Sequence, residues 1–304
     1  MQTKLQSEIF INMSHCDDTS HLGIPNTFMI FQDLAIRHGE ILGIGTRLIR
    51  EKHIYWVTGR NHIHLYRRPA MDEVIQAETF LGSARGPRAY RYYRLFQGDE
   101  TLAVGRTDFV ATNMDNHTLV KVTDFFPEQE AITASFKGKT LPLDENVPRI
   151  SPDFSDGADA GSYTVRSIDI DLGGHMNNTA YAWALAGLFS SKELREAAFS
   201  DIDIVYRKPC FEGEVLAAFR RQTENATELS LRRPDGEAAV LARFTYLVLL
   251  LPQISGFFTS GLIVHHGAVR PLCDIFLQLL IQLAAVSRRN TWFGKSPGRS
   301  RDKG

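Results

Sequence analysis

The stretch DIDLGGHMNNTAY, from Asp169 to Tyr181, sets a carboxylate and an imidazole four residues apart across two glycines. Asp171 suits a general base or nucleophile, and His175 could orient it or deliver a proton. Gly173 and Gly174 permit a turn tight enough to bring a substrate against the main chain. Asn177 and Asn178 are natural helix caps. Main-chain N–H groups at Gly173, Gly174, Met176 and Asn177 would then face a developing oxyanion at the start of a helix. The same residue types also serve simply to cap helices, so the local pattern alone leaves both readings open.

The elements around this stretch must position it. Tyr181, Trp183, Ala184, Leu185, Leu188 and Phe189 are apolar nearly all round, which predicts a buried helix. A first helix is predicted from Pro25 and Asn26, with Phe28, Phe31, Leu34, Ala35 and His38 facing inward, and Gly43-Ile44-Gly45 stopping it. Strands are expected at residues 8–15, from His53 to the stop at Pro69, and over Val74–Leu81, with a hairpin of Ala89–Phe96 and Thr101–Thr112 about Gly98-Asp99. Pro127 to Gly161 reads as a linker with one short helix near its start.

After the linker the first half recurs in order. Asp17-x-x-x-His21 mirrors Asp171-x-x-x-His175, Tyr66-Arg67-Arg68-Pro69-Ala70 mirrors Tyr206-Arg207-Lys208-Pro209-Cys210, and the Gly98 hairpin mirrors one at Asp235-Gly236. One helix followed by antiparallel strands, twice, predicts a tandem α+β fold. The expected division is a first domain over 1–130, a linker over 131–160, a second domain carrying the site over 161–250, and a tail over 251–304. Asp17 and His21 lack the Gly-Gly turn and the Asn pair, so they read as a degenerate copy kept for structure.

Bulk properties exclude several classes. A formal charge of -1 over 304 residues is no nucleic-acid footprint. Cys16, Cys210 and Cys273 are too few for a disulfide framework or a structural zinc site and suit a reducing cytoplasm. The N-terminus has no secretory pattern, and no apolar run is long enough to span a membrane. The apolar stretch Leu272–Val286 is broken by Asp274, Gln278 and Gln282, so a surface or docking helix is expected there, followed by a basic end. His62 and His64 share a strand face, but a third metal ligand at a recognisable spacing is lacking. Neither G-x-S-x-G, a Walker loop nor G-x-G-x-x-G occurs.

D-x-x-G-H-x-N-N-x-x-Y resembles the signature of hotdog-fold thioesterases, and the surrounding sequence up to about residue 250 resembles the acyl-ACP thioesterases of plants and bacteria. The resemblance implies a double hotdog, each half a sheet wrapped around a long helix. It implies hydrolysis of fatty acyl-acyl carrier protein to free fatty acid, with no cofactor and no metal. Asp171 and His175 fall on the catalytic Asp and His of its D-x-N-x-H motif, and Cys210 on the Cys of the plant enzymes' second motif; buried packing is an equal reading for that thiol. Two positions depart: Gly173 stands where the family has Asn, and Pro209 where it has Glu. The implied partner is an acidic carrier protein, and Arg85, Arg88, Arg91 and Arg94, with Arg67 or Arg68, form the basic region expected to steer it. Phe28, Met29 and Phe31 would cap the acyl tunnel, or serve as plain core. A homodimer is compatible with this. An acyl-CoA thioesterase of the wider hotdog group and a non-catalytic acyl-binding hotdog protein are the alternatives.

Overall fold

The structure is a computed structural model that describes residues 2–134, 141–143 and 147–247. The expected helix at Leu272–Val286 and the basic end lie outside the described residues. Ten antiparallel strands form one continuous sheet in the order β1-β3-β4-β5-β2-β7-β10-β9-β8-β6. The first five are β1 (Lys4–Phe10), β2 (Ile54–Leu65), β3 (Val74–Arg85), β4 (Arg88–Gln97) and β5 (Glu100–Asn113). The others are β6 (Ala158–Thr164), β7 (Phe199–Tyr206), β8 (Val215–Gln222), β9 (Ala226–Arg232) and β10 (Ala238–Tyr246). β6 begins within the stretch that reads as a linker. The expected short strand at 8–15 sits earlier, and residues 13–15 instead form a single 3-10 turn capped by Asn12.

Read from its outer edge inward, each half follows one pattern: β1-β3-β4-β5-β2 and β6-β8-β9-β10-β7. The halves join where residues 60–64 of β2 pair antiparallel with 201–205 of β7. Alternation along β2 sends Ile63 and Leu65 into the main core and His62 and His64 to the opposite face.

Helix α1 (Ile24–Ile41) has Pro in its first turn and buries Phe28, Phe31, Leu34 and His38, as its spacing predicts, with Ile30 buried in addition and Ala35 only partly. It stops at Leu42, and Gly43 follows in the left-handed region with φ +73°. Gly105 on β5 lets α1 lie close, since a Cβ there would stand 2.5 Å from the Phe31 ring. Phe31 stacks on Tyr93 with centroids 4.6 Å apart.

The second helix, α4 (Asn178–Ala186), has nine residues, half the 18 of α1, so the expected long second helix is corrected to a short one. Gly187 caps its end, and Ser190 with Glu193 builds a capping box that starts a separate α5 (Ser191–Glu196). Tyr181, Ala184, Leu185 and Phe189 are buried, whereas Trp183 is half exposed. Helices α1 and α4 contact each other, and their apolar faces enter one core cluster with residues of both half-sheets. Two shorter helices, α2 (Thr46–Lys52) and α3 (Gln129–Ala134), contribute to a second cluster through Leu48 and Ile132.

Candidate active site

The Asp171 turn is closed by its own backbone. The Asp171 N–H donates to His175 O at 3.0 Å, and the Gly174 N–H to Asp171 O at 3.0 Å. Gly174 takes φ +76°, a conformation that costs an L side chain strain. The Gly173 N–H donates to Asp171 Oδ1 at 2.7 Å, and that oxygen lies 3.7 Å from His175 Nδ1. The carboxylate is about a quarter exposed and the imidazole 39%. A Cβ on residue 173 would stand 3.0 Å from both Asp171 Oδ1 and His175 Nε2. The glycine that replaces the motif Asn thus lets the carboxylate and imidazole close over the turn. Leu172, between them, is fully exposed.

Main-chain bonds anchor the turn to the rest of the half. The Met176 N–H donates to Cys210 O at 2.8 Å and the Asn177 N–H to Asp169 O at 2.8 Å. Asn177 then caps α4, its Oδ1 accepting the Thr179 N–H at 2.9 Å. The carbonyl of Asn177 accepts from Ala180 N at 3.0 Å, so the polar start of the helix sits directly after the Asp-His turn.

The same turn is built at the first-half copy. The Asp17 N–H donates to His21 O, Ser20 N to Asp17 O and Leu22 N to Pro69 O, at 2.9, 3.1 and 2.8 Å. Ser20 takes the place of Gly174 with φ +59°. The chemistry differs, because Asp17 is ion-paired with Arg68 and accepts from Thr19. Burial acts to raise its pKa, and the Thr19 and Arg68 hydrogen bonds outweigh that and hold the carboxyl below its ordinary value. In the second half Lys208, which replaces Arg68, pairs with Glu237 at 2.9 Å. Among the described residues the ion-pair partner of Asp171 is His175 alone.

Cys210 is fully buried below the turn, next to the hydroxyl of Tyr181, and burial pushes its thiol up to about 11. At neutral pH the thiol keeps its proton. Its enclosure and raised pKa favour the packing reading of this thiol over the catalytic one.

A cleft opens between α1 and the sheet of the first half. Phe28, Phe31, Gln32 and Ala35 of α1 face Thr58, Asn61 and Ile63 of β2, Tyr93 of β4, and Arg106, Thr107 and Phe109 of β5. Asn178 and Thr179, the first residues of α4, line it as well. Phe28 and Phe31 line this cleft and belong to the main core cluster as well. Asp171 and His175 do not line it; the adjoining turn of helix does. Asn61 and Thr107 escape notice in the sequence. Their only signal is strand parity, which puts Asn61 on the same face as Ile63.

The arginines separate. Arg85 and Arg88 are exposed and face each other in register at the β3–β4 turn. Arg91 shares its parity with Ala89, Tyr93 and Leu95, is 4% exposed, and donates to His38 Nδ1 at 2.8 Å, so its placement in a surface patch is corrected. Arg67 is tied to Glu73 and Glu100, and Arg94 to Thr101. His62 and His64 both approach Asp201, at 3.4 and 2.8 Å, and the described residues hold no group of three ligands suited to a metal. No described helix is long and apolar enough to cross a membrane.

Solved structures share this architecture. An acyl-ACP thioesterase from Bacteroides thetaiotaomicron VPI-5482 superposes with a TM-score of 0.72 at 17% identity, over 81% of this chain and 98% of its own. The 12:0-ACP thioesterase from Umbellularia californica gives 0.68 at 16%, over 81% and 98%. By sequence, the chloroplastic oleoyl-acyl carrier protein thioesterase of Coriandrum sativum is 26% identical over 201 residues, 62% of this chain and 54% of that protein. The chloroplastic dodecanoyl-[acyl-carrier-protein] hydrolase of Cinnamomum camphora is 25% identical over 215 residues, 66% of this chain and 54% of that protein. The chain thus spans about half the length of these relatives. Residues 2–129 match the acyl-ACP thioesterase N-terminal domain and residues 155–246 its C-terminal domain, which together take in both Asp-His turns, helices α1 and α4 and all ten described strands. The chain belongs to the acyl-ACP thioesterase family.

Proposed function

We propose that this protein hydrolyses the thioester of fatty acyl-acyl carrier protein, releasing free fatty acid and carrier. The observation that carries the reading is the Asp171–His175 pair, 3.7 Å apart on a half-buried turn that feeds directly into α4, whose first residues line the cleft walled by Phe28 and Phe31. Asp171 takes a proton from water as the water oxygen attacks the thioester carbon. The N–H groups of Gly173, Gly174, Met176 and Asn177 already donate to Asp171 Oδ1, Asp171 O, Cys210 O and Asp169 O, so the oxyanion falls to the main-chain N–H of His175. Collapse expels the thiolate, which the His175 imidazole protonates, and the proton taken up by Asp171 returns to His175. Because Gly173 supplies no side-chain amide, polarisation of the thioester rests on that backbone donor. The acyl chain enters along the first-half cleft, whose volume of about 30 Å³ has to widen to take it.

On this reading residues 1–130 and 161–250 are two hotdog units joined by 131–160, and only the second keeps a working site. Among the described residues Asp171 faces only the His175 imidazole as an ion-pair partner, against the Arg68-bound Asp17, and this difference supports that division of labour. Arg85 and Arg88, exposed on one hairpin, meet the acidic carrier. The near-neutral charge and the free thiols of Cys16 and Cys210 suit a reducing cytoplasm.

The test is Asp171→Asn assayed on matched acyl-ACP and acyl-CoA. Loss of a general base predicts a fall in kcat on the order of 10²-fold or more with the fold intact, and faster turnover of acyl-ACP than of acyl-CoA by the unmutated protein. Unchanged hydrolysis in the variant would take Asp171 out of the chemistry, and acyl binding with no turnover by the unmutated protein would leave binding without catalysis, the reading favoured by the departures at Gly173 and Pro209. Preference for acyl-CoA would move the substrate to the wider hotdog group.

A further inference from the structure

A directed chain of hydrogen bonds runs from the first half-sheet to the first residue of α4. Thr107 Oγ1 on β5 donates to Asn61 Oδ1 on β2 at 2.6 Å. Asn61 Nδ2 donates across the junction to the Tyr206 hydroxyl on β7 at 3.1 Å, and that hydroxyl donates to the carbonyl of Asn178 at 3.0 Å. Asn178 Nδ2 returns to the first half, donating to Thr58 Oγ1 at 2.9 Å. Every member has one role at each atom: Asn61 must present its oxygen to Thr107 and its nitrogen to Tyr206, and Tyr206 is left one proton to give. Bonds aligned in this way reinforce one another.

The receiving end is where positioning matters. α4 has nine residues, too short to fix its own start through intrahelical bonds alone. Its first residue is held at its side chain by Thr58 of the first half, and at its backbone by Tyr206 of its own half, whose hydroxyl takes a hydrogen bond from Asn61 of the first half. That residue and its neighbour Thr179 line the cleft, and the Asp171 turn lies immediately before them.

We infer that Tyr206, Asn61, Thr107 and Thr58 are positioning residues through which the first half sets where the α4 N-terminus stands against the cleft. This rests on the hydrolase reading above and extends it: the half with the degenerate Asp17 turn contributes to the reaction by aiming the working half's helix. None of the four needs to touch the reacting atoms.

Tyr206→Phe removes one oxygen and keeps the edge-to-face contact with Tyr181, whose ring lies 5.7 Å away. Thr107→Val breaks the chain at its far end, and Thr107→Ser preserves it. Expected are a fall in kcat of about fivefold or more in Tyr206→Phe and Thr107→Val, with KM for acyl-ACP within about twofold. Thr107→Ser should stay near the unmutated value, and the double variant should be no worse than the poorer single. Amide hydrogen exchange at Ala180 and Tyr181 should accelerate about fivefold in Tyr206→Phe with little change in Tm. A Tyr206→Phe enzyme that keeps its kcat, or exchange at the helix start that stays unchanged, overturns the inference. If the unmutated protein hydrolyses no acyl-ACP at all, the hydrolase reading falls, and the exchange measurement alone decides whether the chain aims the helix.

Discussion

Cys210 and Asp171 lie on adjoining turns and meet opposite environments. The Asp171 carboxylate reaches solvent on a turn shaped by two glycines, whereas the Cys210 thiol is enclosed and held protonated, near pKa 11. A thiol that keeps its proton is a poor nucleophile. Cys210→Ala should therefore leave kcat within about threefold and cost about 1 kcal/mol of stability through lost packing, read by urea denaturation. A hundredfold loss of turnover in a folded Cys210→Ala protein would restore the thiol to the chemistry.

At the level of elements, α1 is fastened to β4 by a buried cation and an imidazole. His38 Nδ1 accepts from Arg91 at 2.8 Å, and its Nε2 donates to the carbonyl of Gln2 at 3.1 Å, which fixes the neutral tautomer. Burial first, and then the Arg91 charge, hold the imidazole down at about 4 against an ordinary 6.5. Above about 6.5 both folded and unfolded chains carry neutral His38, so the contact is at full strength. Between 6.5 and 4 only the unfolded chain takes up the proton, and stability declines as pH falls, levelling below about 4. The span corresponds to a loss of up to roughly 3 kcal/mol. Urea titrations from pH 7 to 4 should show this slope, and His38→Gln should remove it; an unchanged slope in that variant would place the titration elsewhere.

For the whole molecule the decisive feature is the junction of β2 with β7, which makes one sheet of two similar halves. Arg60 Nη2 meets Asp203 Oδ2 across it at 2.8 Å, and the Asp203 side chain is 2% exposed. Arg60→Ala would strand that carboxylate and should cost about 3–5 kcal/mol. Because α1 and α4 share one core, calorimetry should show a single transition moved to lower temperature. Splitting into two transitions would mean that the halves fold as separate units.

Local chemistry made much of this protein legible in its sequence. The Asp171 turn, the Asn177 cap, the Pro25 helix start and the Gly98 hairpin depend on residues a few positions apart, whose backbone preferences act before any packing. Arg91 was not legible in this way: its charge pointed to the surface and put it in the basic region, although it shares strand parity with Ala89, Tyr93 and Leu95. Only the tertiary structure decided the rest. That Cys210 is sealed, that Arg91 finds His38 from 53 positions away, and that Asn61 reaches Tyr206 across 145 depend on which surfaces the folded sheet and helices bring together. Such contacts join residues far apart in the chain, and neither composition nor periodicity carries the identity of a distant partner.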